Sequence, residues 1–128
     1  MKYMARADIF SCLLALLCVS SVRAAEFDLD KCKAQFIAGE YDKVIETAGA
    51  AVKARERGED WVLLYAHALW MTGKYPEARE AVRSGQRYNY SAIRTRLLGY
   101  KLCRSAGELE EASNLLDDIN SIGGSRRW

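Results

Sequence analysis

Apolar positions recur with helical spacing along most of the chain, and six stretches carry that spacing between short polar breaks. The first predicted helix runs from Asp28 to Ala38, with Leu29, Ala34, Phe36 and Ile37 apolar and Asp28 or Asp30 available to cap it. The second covers Asp42–Arg57, where Lys53, Arg55 and Arg57 would sit favourably near the C-terminal end of the helix dipole. Gly58-Glu59-Asp60 breaks the pattern. The third, Trp61–Thr72, is apolar nearly all round, which places it at the centre of the core. Pro76 opens the fourth, where its missing N–H costs nothing, and that helix continues to Tyr88. Ser91 is the expected N-cap of the fifth, Ala92–Ala106, and Asn89-Tyr90-Ser91 also reads as a glycosylation sequon. The sixth covers Glu110–Ile122.

The breaks themselves repeat. Gly39-Glu40-Tyr41, Gly73-Lys74-Tyr75 and Gly107-Glu108-Leu109 stand 34 residues apart. Each glycine falls where one helical pattern ends and the next begins, the place of a left-handed C-terminal cap. The aromatic or leucine two residues later is expected to pack across the turn. Val44, Ala78 and Ala112 then keep one face of each second helix small, so that the two helices of a hairpin approach closely. A larger residue follows four later as Val82 and Leu116, with Ala48 in the first unit, and Ala51, Gly85 and Ile119 complete the spacing.

A fixed period of this length implies a stack of units, none of which buries its own apolar face alone. In these residues the chain resembles the tetratricopeptide repeat family from about Ala25 to Arg126. The resemblance implies an all-α fold, a right-handed superhelical array of antiparallel helix pairs with about six helices. The repeats would be residues 25–58, 59–92 and 93–126, leaving 127–128 as a C-terminal end that is expected to be truncated or completed by a partner. The family's small site in each first helix falls on Cys32, Ala66 and Tyr100, and its large site on Gln35, Leu69 and Cys103. Tyr100 and Gln35 depart from the pattern, as do Glu56, Tyr90 and Gly124, where the family has a closing proline.

Residues 1–24 read as a signal peptide: Lys2 and Arg6 precede an apolar run too short to span a bilayer, and Val22-Arg23-Ala24 offers small residues before a cut. The expectation is an exported protein, periplasmic or secreted. Neither Cys12 nor Cys18 has the context of a lipid-anchored cysteine: Phe10-Ser11 precedes Cys12 before the apolar run has begun, and Leu16-Leu17 precedes Cys18 where a small residue is wanted. Removing Lys2, Arg6, Arg23 and Asp8 leaves 16 basic and 16 acidic residues, a balance that argues against a nucleic-acid or general membrane-surface binder. Cys32 and Cys103 then remain, on first helices two packing steps apart. Helices pack about 8–10 Å apart and a disulfide needs Cα atoms within about 7 Å, so no bridge between them is predicted.

Catalysis is hard to assemble from these residues. His67 is the one histidine, and no metal-ligand cluster, phosphate-binding glycine loop or nucleophile elbow occurs. A dyad of His67 with Cys32 or Cys103 is the one catalytic arrangement the first helices would allow. No enzyme activity, cofactor, metal or small-molecule substrate is expected. In the resembled family the first helices line a concave groove, and carrying its positions over implies a peptide-binding surface of Leu29, Lys33, Phe36 and Ile37, then Leu63, His67, Trp70 and Met71, then Arg94, Leu97, Lys101, Arg104 and Ser105. Such a surface suits a protein or peptide partner with apolar anchors and acidic groups, plausible within a membrane-associated complex. The runner-up is a repeat module of a larger exported enzyme or multidomain protein. Arg79, Arg83 and Arg87 form one stripe of the fourth helix, read as a solvated face, with a docking patch for an acidic protein or anionic envelope component as the other choice.

Overall fold

The computed structural model describes residues 26–124, so the expected leader over 1–24 and the end at 127–128 lie outside the described residues. The described chain is all-helical, with six helices: α1 (Leu29–Ile37), α2 (Tyr41–Lys53), α3 (Glu59–Met71), α4 (Tyr75–Tyr88), α5 (Ile93–Ser105) and α6 (Leu109–Gly124). Turns of three residues join α1 to α2, α3 to α4 and α5 to α6, which forces each pair antiparallel. Every helix packs on the next in sequence. In addition α1 packs on α3 and α3 on α5, whereas α2, α4 and α6 make no such close approach to one another. The odd-numbered helices therefore form the tighter layer.

The turns form as the glycines predict. Gly39, Gly73 and Gly107 have φ of 78°, 78° and 80°, and the residue after each donates its N–H five residues back, Glu40 to the Gln35 carbonyl, Lys74 to Leu69 and Glu108 to Cys103. Each glycine N–H also donates three residues back, to Phe36, Trp70 and Arg104 in turn, so two leftover carbonyls of each first helix are satisfied. Arg55, with φ 57°, adopts the same conformation after α2, and Glu56 donates to the Ala51 carbonyl. That cap stops α2 at Lys53, four residues before the predicted end, so Arg55 and Arg57 lie in the following loop and not on the helix.

The small residues expected at the hairpin interface are buried: Val44 and Ala78 completely, and Ala112 nearly so. α3 supplies both larger core clusters, Ala66 and Leu69 to one, and Trp61 and Ala68 to the other, which is the central role its all-round apolarity predicted. Three local expectations are corrected. Of the residues meant to pack across the glycine turns, Tyr41 does so against Phe36, with ring centroids 5.4 Å apart, while Tyr75 and Leu109 are exposed. Leu116 is 38% exposed and Leu115 takes the buried place on α6, one position round the helix. Ser91 does not cap α5: its N–H and hydroxyl both bond to the Asn89 side-chain oxygen, and Ala92 stands at the cap position.

Candidate functional site

The expected groove residues fall on the odd-numbered layer, and its centre is an aromatic row. Phe36 on α1 meets the His67 ring edge-on at 6.2 Å, and His67 stacks on Trp70 at 6.3 Å with the rings 20° from parallel. His67 Nδ1 is held 3.0 Å from the Leu63 carbonyl one turn earlier. A neutral ring so placed donates from Nδ1 and leaves Nε2 as an acceptor. Burial pushes the His67 pKa down, against the Leu63 carbonyl contact, and the nearby Lys101 charge pushes it further down. His67 thus links residues from all three odd-numbered helices.

Around that row the other predicted residues separate by role. Leu29 and Phe36 rest on the core cluster beneath α1 and α2, and Leu63 and Trp70 on the one beneath α3 to α5, each keeping part of its surface exposed. Lys33 is half-buried and Lys101 exposed, and neither makes an ion pair among the described residues. Leu97, Ile37 and Met71 are exposed apolar side chains of the same layer. Arg104 lies against Tyr100, donating to its hydroxyl at 2.9 Å. Next to the row, Trp70, Tyr75, Leu102 and Ala106 border a cavity of about 290 Å³ at the α3–α4 turn.

Arg94 departs from the groove. Its guanidinium turns to the start of α3, pairing with Asp60 at 2.7 Å and Glu59 at 3.3 Å. Glu59 also accepts the backbone N–H of Thr95, so a carboxylate from α3 caps α5. The arginine stripe is likewise spoken for. Arg79 pairs with Glu108 and Glu111, Arg83 with Glu111 at 2.8 Å, and Arg87 with Glu80 at 3.0 Å. The Arg83 hydrogen bonds hold the Glu111 carboxyl below its ordinary range. Arg79 and Arg83 thus latch α4 to the start of α6, while Arg87 pairs within α4, so the stripe is neither a bare solvated face nor a free basic patch. Neither contact has a signal in the sequence, because the partners lie 28 to 36 residues apart and meet only once the hairpins stack.

The two cysteines among the described residues, Cys32 on α1 and Cys103 on α5, are buried and free, and burial raises both pKa values. His67 makes a hydrogen bond to neither among the described residues, its partners being the Leu63 carbonyl and the Phe36 and Trp70 rings. The Cys103 sulfur and the Glu108 and Glu111 carboxylates do lie within 4.8 Å of one another. Arg79 and Arg83 already neutralise those carboxylates, so a cation there would have to displace two guanidinium groups. No helix of the described residues is long and apolar enough to cross a membrane. No protein-family model, curated protein or solved structure matches the chain.

Proposed function

We propose that the chain is an exported, non-enzymatic interaction module of the tetratricopeptide type, an adaptor that holds a peptide or protein on the face formed by α1, α3 and α5. The observation that carries this reading is the half-buried row Phe36, His67 and Trp70, bordered by two lysines without carboxylate partners among the described residues. Aromatic rings supply large contact area at small entropic cost, and uncommitted ammonium groups beside them favour an acidic segment with apolar anchors. The closer packing of the odd-numbered layer supports a stack curved toward that face, which makes it the concave side. Leu29, Leu63 and Leu97 add apolar contact along the same direction, with Arg104 at the far end.

Charge reversal is the test. The mature chain, with Lys33→Glu/Lys101→Glu as its control, is used to crosslink and recover partners from envelope or secreted fractions. A partner captured by the parent and lost by the variant at unchanged helicity supports the groove. Equal capture by both places the binding surface elsewhere on the molecule.

A further inference from the structure

At the helix ends opposite the glycine turns, the α2–α3 loop and the end of α4 enclose a cavity of about 340 Å³. Small-molecule sites run from about 300 to 1,000 Å³, so this one has room for a short apolar body. Its apolar lining, buried or half-buried, is Val52, Trp61, Val62 and Ala92, beside the buried Thr95 and Gly85 and the half-buried Glu59. Its exposed lining carries two guanidinium groups, Arg55 and Arg57. Gly85 shapes one wall, because a Cβ there would meet Val62 Cγ1 at 2.6 Å.

The Arg55 side chain is held at this mouth. Its guanidinium carbon lies 4.9 Å from the Tyr88 ring centroid, and Nη2 donates to the Tyr88 hydroxyl at 3.4 Å. Among the described residues Arg55 alone, of the non-glycines, has a positive φ. It occupies the left-handed turn position that glycine takes in the other caps, a backbone cost tolerated to keep a charged side chain there. The charges around the cavity do not cancel. Of its two lining carboxylates, Glu59 is committed to Thr95 and Arg94, which leaves Glu56 against Arg55 and Arg57. Neither arginine has an ion-pair partner among the described residues.

The geometry points to a second binding site, for a small monocarboxylate with an aliphatic body. The chain of such a ligand lies along Val52, Val62 and Ala92, and its carboxylate accepts charge-assisted hydrogen bonds from Arg55 and Arg57. A neutral alcohol of the same length keeps the apolar contact and loses the guanidinium one, and an alkylammonium meets like charge. The site is separate from the groove and does not depend on it.

Octanoate, octanol and octylammonium, each titrated into the isotope-labelled protein while backbone amide shifts are followed, test this. Saturable shifts at Val52, Val62 and Ala92 are expected with octanoate, with affinity at least tenfold above octanol. The Arg55→Gly/Arg57→Gln variant should lose that tenfold margin while keeping its fold, because glycine adopts the Arg55 backbone conformation without strain. The Lys33→Glu/Lys101→Glu variant should bind octanoate as the parent does. Octanol binding as tightly as octanoate, an unchanged margin in the arginine variant, or shifts confined to the α1–α3–α5 face would each overturn the assignment.

Discussion

Gly73 and Gly85 are both glycines for physical reasons, but the reasons differ. At Gly73 an added Cβ meets nothing within 4 Å, so the constraint is φ alone, at 78°. Gly73→Ala should cost about 1–2 kcal/mol, the penalty of a left-handed L-residue, read as a lowered urea midpoint at unchanged slope. At Gly85 the backbone is ordinary and the obstacle is Val62, so the loss from alanine there would come from overpacking. His67 supplies the pH dependence. Burial lowers its pKa below the ordinary 6.5, so between the folded and unfolded values the unfolded chain binds more protons. Stability is then complete above about pH 6.5 and falls as the pH drops below it. Melting temperatures from pH 7.5 to 5.5 should decline in the parent and decline less in His67→Gln. Since the sequence holds a single histidine, an equal slope in both would remove His67 as the cause. The glycines and the histidine were legible as residues; that His67 would touch Phe36, Trp70 and the field of Lys101 followed from neither its spacing nor its type.

Helix ends show how one element relies on another. Asp28 caps α1 locally, its side chain accepting from Lys31 N–H at 3.0 Å. α5 has no local side-chain cap and takes Glu59 from α3 instead. Glu59→Ala should therefore cost about 0.5–2 kcal/mol, the range for a lost N-cap. Arg94→Ala should cost less, within about 1 kcal/mol, since the Arg94 side chain is 60% exposed and its ion pairs are screened. Chemical denaturation of the two variants checks the order, and an Arg94 effect as large as that of Glu59 would mean that the ion pair, not the cap, secures this junction. Helix number, type and most boundaries could be read from periodicity. The early end of α2 could not, because an arginine in the glycine position gives no sequence signal of a left-handed cap.

Across the described residues, α3 joins two core clusters, and the odd-numbered helices pack along one layer while α4 and α6 meet only through long side chains. Charge on the proposed binding face is independent of that core. Lys101→Glu, on an exposed side chain, should shift stability at pH 7.5 by no more than about 0.5 kcal/mol, and Lys33→Glu, on a half-buried one, by no more than about 1 kcal/mol. Partner capture by the parent should weaken as salt is raised, since exposed charges are screened over about 10 Å at 0.1 M. Capture indifferent to salt would point to purely apolar docking.

The 34-residue period, the three glycine turns and the small residues between paired helices were determined by the sequence alone, because local φ preference and helical spacing act within a few residues of each position. The α4–α6 latch, the capping of α5 by α3, the ring row and the Arg55–Tyr88 cavity were decided only by the tertiary structure. Each depends on which side chains a neighbouring helix brings within a few ångströms, and stacking, not local preference, sets that distance.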